Sequence, residues 1–235
     1  MRAVEKRQSP ECLRGFIDGQ LAIEPEPVNV TYKNFREKAK LLNELTLEQY
    51  GLCGYTGAPV DGDRISKLAS ASGDVVFKNH IEHLKCQDLC KQELIDSGGV
   101  VGRDLGDDLN YFNMIAALGM SGSEAEHFGA EIKKNMPLPV LPTQADCADH
   151  FGFQELDGGV TGLTVAGEES IKVLRLDHKT LDGWRMSAIE AWLNPEVIQT
   201  REDFEEVIQA VENPVDGRLP EFSFVIRAIA RGYLE

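Results

Sequence analysis

The sequence predicts an α+β fold, and three observations carry that prediction. Residues 75–84 form an apolar, β-prone run without helical spacing, the best strand candidate in the chain. Short apolar segments flank Asp157-Gly158-Gly159, which reads as a hairpin because Asp-Gly between apolar segments favours a primed turn. Helical spacing appears on either side of both, over residues 32–50 and again from Leu181 onward. A chain of 235 residues fits one large domain or two small ones. Composition shifts divide it into a helical and extended N-terminal arm (1–50), a core (51–137) and a C-terminal α+β region (138–235) that follows the proline-rich connector at 136–142.

In chain order, Pro10 precedes a predicted short helix from Glu11 to Ile17, and two prolines make residues 22–30 an extended linker. Phe35, Ala39, Leu42, Leu45 and Leu47 give helical spacing with a break expected near Thr46, where Thr46 can cap a second short helix. Gly51 to Val60 reads as a tight knuckle and residues 61–63 as a further turn. After the strand at 75–84, a short helix is expected at 91–97, stopped by Gly98-Gly99. Gly106-Asp107-Asp108 offers turn and cap chemistry for a helix over 109–118. Residues 124–134 read as polar and helical. Beyond the connector come the hairpin, a strand or short helix over 169–176, and tail helices over 181–193, 201–211 (capped by Thr200) and 222–234.

Charge narrows the function. The net charge is −15; the first ~50 residues are close to neutral and roughly the last 95 hold about two thirds of the excess acid. A protein that grips nucleic acid alone shows a basic footprint, so either a local patch or a partner subunit must supply the grip. Mean hydropathy is −0.25 and no run approaches the ~18 consecutive apolar residues of a membrane span. The N-terminal segment lacks the apolar stretch of a signal peptide, which makes a cytoplasmic location the expectation. The five cysteines show no framework and read as reduced thiols.

The chemistry centres on Ile81-Glu82-His83-Leu84, at the end of the predicted strand. Phosphodiester hydrolysis needs an activated water and charge relief on the leaving oxygen. Histidine titrates near ~6.5 and suits a general base, while a hard divalent cation takes carboxylate and carboxamide oxygens. Glu82 and Asn113 supply such oxygens and His83 the base. Adjacent side chains of a regular strand point to opposite faces, so Glu82 and His83 share a site only if the strand ends or distorts there. Taken alone, the dipeptide reads first as a surface Glu beside a half-buried His at a strand end.

The flanking segments extend the pattern. They are Leu47-Glu48-Gln49-Tyr50-Gly51-Leu52-Cys53-Gly54-Tyr55-Thr56, Tyr111-Phe112-Asn113-Met114-Ile115-Ala116-Ala117-Leu118, His127-Phe128-Gly129, the connector Leu138 to Pro142, and Cys147 with Phe151-Gly152-Phe153. Over residues 1–190 the chain resembles the HNH endonucleases of the Septu anti-phage defence systems, also found beside retrons. The resemblance implies a ββα-metal core at 51–137 and a magnesium- or manganese-dependent nuclease that hydrolyses nucleic acid, DNA by default with RNA and tRNA open. It makes His83 the general base and places Glu82 and Asn113 at the metal, with His127 as a further candidate ligand. It implies an SMC- or ABC-like ATPase partner and, in retron-linked systems, a reverse transcriptase with its msDNA, and no membrane. The family's zinc knuckle uses four cysteines. Here only Cys53 stands in place, and Thr56, Leu118 and Phe128 hold the other positions, so no structural zinc is expected there. The alternative is a catalytically degenerate HNH fold kept as an adaptor of the same ATPase.

Other residues read more plainly. Cys86 and Cys90, one helical turn apart, are expected as unligated thiols, and Cys147 near Asp149-His150 lacks an oxyanion-hole signature. His80 is a strand residue that can line the cleft, and Asp177-His178 is a turn before the helix at 181. Trp184 and Trp192 fall on one helix face and suit core packing. Lys78, Lys85, Lys133 and Lys134 are read as solvated charges that could touch phosphates.

Overall fold

The computed structural model describes residues 1–68 and 75–235, and the architecture is α+β. Helices α1 (Glu11–Leu21), α2 (Lys38–Glu48) and the one-turn α3 (Gly62–Ile65) precede strand β1 (Phe77–His83). Helix α4 (Gln87–Asp96) and two 3₁₀ turns lead to β2 (Met114–Met120), then the one-turn α5 (Ala130–Lys133). A small hairpin of β3 (Phe151–Phe153) and β4 (Val160–Gly162) follows, and helices α6 (Val165–Leu174), α7 (Lys179–Trp192), α8 (Arg201–Glu212) and α9 (Ser223–Gly232) complete the chain.

The main correction concerns residues 109–118, expected as a helix. Asp107–Leu109 and Tyr111–Asn113 form single 3₁₀ turns, and Met114–Met120 is a strand paired antiparallel with β1, from Phe77 opposite Met120 to His83 opposite Met114. All seven residues of β2 are buried. A strand buried on both faces reads as a continuous apolar run, which periodicity cannot separate from a buried helix. The far edge of β2 is closed by side chains and the knuckle. The Gln49 carboxamide accepts from Ala116 N at 2.7 Å and donates to Ala116 O at 2.8 Å. Gly54 N also donates to Ala116 O, at 3.2 Å, and Leu118 N donates to Cys53 Sγ at 3.3 Å.

Smaller differences have local causes. Helix α2 runs through Thr46 without a break, because the Thr46 hydroxyl bonds back to Leu42 O at 2.8 Å inside the helix. Residues 61–63 start α3, with Asp61 as its cap. Helix α4 begins at Gln87, four residues earlier than expected. Residues 124–134 hold one 3₁₀ turn and the four-residue α5. The β3–β4 pairing leaves residues 154–159 as the loop, longer than a primed two-residue turn. Residues 165–174 are helical, and the tail helices stand where the spacing put them, α8 with a full capping box between Thr200 and Asp203.

One hydrophobic core runs from Leu13 and Leu41 through β2 to Leu181, Val225 and Ala230. Trp184 packs edge-on against Phe77 and Phe128, joining α7 to β1. Helix α9 docks on the knuckle, where Phe222 N donates to Gly57 O at 3.1 Å. Among the described residues no helix is long and apolar enough to cross a membrane.

Gly57 has φ +76°, and a Cβ there would lie 2.2 Å from the Phe224 ring. Gly57→Ala is expected to lower stability by about 1–3 kcal/mol through overpacking and an unfavourable φ. Gly62→Ala, with nothing within 4 Å of its Cβ, is expected to change little. Urea midpoints of the two variants check this, and equal midpoints would count against α9 being seated on the knuckle.

Candidate functional site

Strand β1 stays regular up to His83, and that regularity decides the geometry. Glu82 and His83 occupy consecutive ladder positions opposite Ile115 and Met114, so their side chains leave opposite faces of the strand. Glu82 faces the knuckle and α5. Its Oε1 accepts from Lys133 Nζ at 3.0 Å and from Tyr55 Oη at 3.2 Å, and its Oε2 lies 3.8 Å from His80 Nε2. Burial pushes the Glu82 carboxyl up, but the His80 imidazole 3.8 Å away and the Lys133 ammonium outweigh it and hold the carboxyl below its usual range. The same carboxylate and burial push the Tyr55 phenol well up.

His83 faces the other way, toward Tyr32 and the start of α4. The residue is 5% exposed. The Tyr32 ring packs on it edge-to-face at 4.5 Å, and Lys38 Nζ sits 4.5 Å above that tyrosine ring. His83 Nε2 is 3.0 Å from Asp108 O. A carbonyl only accepts, so Nε2 carries the proton in the neutral ring and Nδ1 keeps its lone pair. Nδ1 lies 3.5 Å from Gln87 Nε2. Burial lowers the His83 pKa, partly opposed by the Asp108 carbonyl and the Glu82 charge. The ring is therefore neutral at neutral pH and held in one tautomer, as a general base requires.

Asn113 is a clamp. Its Oδ1 accepts from Lys85 N at 2.7 Å, and its Nδ2 donates to Lys85 O at 3.0 Å and Asp107 O at 3.1 Å. The Asn113 carbonyl also accepts from Leu84 N at 2.9 Å. The amide thus ties the first residues after β1 to the turn before β2, closing the base of the 84–113 excursion. His127 lies three residues before α5; its backbone carbonyl accepts from Arg175 at 3.2 Å, and its buried Nε2 has no hydrogen-bond partner among the described residues.

The three residues expected at a divalent cation therefore share no hydrogen-bond partner, and the cation does not fit them as placed. The Glu82 oxygen that would bind it is held by an ammonium, and the Asn113 oxygen is held by a backbone N–H. Among the described residues no group of three His, Cys, Asp or Glu side chains converges on one point. In the knuckle, Cys53 Sγ accepts from Leu118 N and Thr56 Oγ1 accepts from Ala58 N at 3.2 Å. Phe128 packs among Phe77, Trp184 and His178. One thiol, one bonded hydroxyl and two apolar side chains do not fit four-coordinate zinc.

Lys133 is the residue sequence reasoning misread. Expected as a solvated charge, it is wholly buried. No sequence signal set it apart, because a lysine in a polar segment reads as solvated. Removing either member of a buried ion pair leaves an uncompensated charge, at about 3–5 kcal/mol. Lys85 is also paired, with Glu93 and Asp107, so neither lysine is free for phosphate. Nothing in the sequence spacing pointed to Tyr32 or Asp108 as neighbours of His83. The Cys147 thiol is buried and pushed up to about 11, mainly by burial, the state of an inert core cysteine. No protein-family model matches the chain, and no curated protein matches it.

The pKa of His83 gives a signed prediction. The folded value is depressed below the ordinary 6.5, so below that pH the unfolded chain binds a proton that the folded chain refuses. Stability is expected to fall as pH drops through 6.5, and His83→Gln is expected to flatten that slope. Glu82, also depressed, acts at lower pH, where its contribution is lost as it protonates. Urea unfolding of both proteins between pH 8 and pH 5 measures the difference; parallel curves would show that His83 is not held neutral.

Proposed function

We propose that this chain is an HNH-type subunit of an ATPase-centred anti-phage complex, and that it serves there as an adaptor without nuclease chemistry of its own. The observation that carries the reading is the divergence of Glu82 and His83 across a regular strand. General base and metal-binding acid must meet at one scissile phosphate, and here they face different neighbours. The frame is compatible with the resemblance: β1 and β2 pair antiparallel, with α4 in the excursion between them, and the one-turn α5 follows. Asn113 supports it as a positioning residue that closes the excursion between the strands. The net charge of −15 suits a subunit that docks on a larger partner better than one that grips nucleic acid alone. The ATPase partner, with a retron reverse transcriptase and msDNA in linked systems, rests on the resemblance alone.

A second reading, the magnesium- or manganese-dependent nuclease, is favoured by one observation. The His83 imidazole is neutral and oriented by the Asp108 carbonyl, with its Nδ1 lone pair left as a base. That reading requires Glu82 and His83 to be brought onto one phosphate in the assembled complex.

The assembled complex, incubated with Mg²⁺ or Mn²⁺ and either plasmid DNA or total RNA, separates the two. The adaptor reading expects no cleavage attributable to this chain, the same result with His83→Ala, and ATPase binding by both proteins. Cleavage by the wild-type complex that His83→Ala abolishes would replace it with the nuclease reading.

A further inference from the structure

We infer that Lys133 is a resident cation, its ammonium filling an oxygen cradle that a divalent ion would otherwise take; this rests on reading β1, β2 and α5 as a ββα unit. The Lys133 side chain is 0% exposed. Its Nζ lies 3.0 Å from Glu82 Oε1, 3.3 Å from His83 O and 3.5 Å from Lys134 O. An ammonium has three donors and no acceptor, and three oxygens face it from three residues. Two of these are backbone carbonyls, the kind of oxygen that a hard cation also accepts.

The backbone around α5 aims the side chain inward. Lys134 has φ +49°, where side chains are disfavoured, and that turn brings its carbonyl back toward the Lys133 ammonium. Gly129, at φ +62°, begins the same turn of helix. Around the cradle stand further donors suited to a metal. His80 Nε2 is 3.8 Å from Glu82 Oε2. Glu131 approaches His80 across Gly119, where an added Cβ would lie 2.7 Å from His80 Nδ1 and 3.0 Å from Glu131 Oε1. Lys133 is the positive charge against Glu82 in these surroundings. A divalent ion and the Lys133 ammonium cannot share the Glu82 oxygen, because like charges so close repel strongly in a water-excluded site.

The test is Mn²⁺ binding to the full chain, followed by the electron paramagnetic resonance of free Mn²⁺. Wild type is expected to show no saturable site that depends on Glu82. Lys133→Ala is expected to bind one Mn²⁺ per chain, and the added substitution Glu82→Gln to weaken that binding at least tenfold. Mn²⁺ is expected to raise the melting temperature of Lys133→Ala and not that of wild type. If Lys133→Ala unfolds alone, refolding in Mn²⁺ supports the inference, and failure to refold at any Mn²⁺ concentration overturns it. A folded Lys133→Ala that binds no Mn²⁺ overturns it, as does a wild-type site that Glu82→Gln removes. The adaptor reading fails on a different measurement, cleavage by the assembled complex, so a Mn²⁺-binding Lys133→Ala together with a cleaving wild type would keep this inference and sink that reading.

Discussion

The structure depends on satisfying the backbone of β2. A strand with all seven residues buried must place every N–H and C=O on a partner, because an unpaired buried polar group costs about 1–3 kcal/mol. Strand β1 serves one edge. Gln49, Gly54 and Cys53 serve the other. These two demands lock the register of β1, since a slip of one residue would turn its half-buried face outward. With the register locked through His83, the faces of Glu82 and His83 are determined as well. The opposite facing of Glu82 and His83 is thus a consequence of how β2 is buried.

The same strand anchors the N-terminal arm. Glu48, 4% exposed at the end of α2, accepts from Lys6 Nζ at 2.6 Å, Arg7 N at 2.6 Å and Tyr111 Oη at 2.9 Å. Lys6 in turn donates to Met114 O at 2.9 Å, at the first residue of β2, and lies 3.6 Å above the Tyr111 ring. A buried carboxylate tolerates its position only with such a full set of donors. Consecutive residues at the end of α2, Glu48 and its C-cap Gln49, therefore do two jobs. One closes the edge of β2 and the other ties residues 6 and 7 across its beginning.

What could be read in the sequence follows from how local each signal is. The edge strand β1 showed as a β-prone run, and α8 showed through its cap and spacing, because both depend on near neighbours. Strand β2 did not, since Met-Ile-Ala-Ala-Leu-Gly-Met suits a buried helix equally well until β1 supplies the ladder. The Glu-His pair was legible as a feature, together with the condition that the strand must end or distort there for the two side chains to share a site. Strand β1 ends at His83, still paired opposite Met114, and the two side chains meet different neighbours. Asn113 was legible as a residue of consequence, but its amide serves the backbone at Lys85 and Asp107, a contact 28 residues apart in sequence. Lys133 was the least legible, because a lysine in a polar segment reads as solvated unless the fold supplies a carboxylate to bury beside it.

Two positions where the resembled nucleases carry metal are, on the proposed reading, filled by the chain's own side chains. In the knuckle, Leu118 and Phe128 occupy space with apolar packing, and Cys53 and Thr56 bond to nearby backbone N–H groups. Below β1, Lys133 neutralises Glu82. A bound metal stabilises a fold in proportion to the logarithm of its concentration, and ligand protonation makes that stabilisation pH-dependent. A covalently attached ammonium or phenyl ring removes both dependences, since its effective concentration is set by the fold. The exchange also removes the Lewis acid that would assist a leaving oxygen.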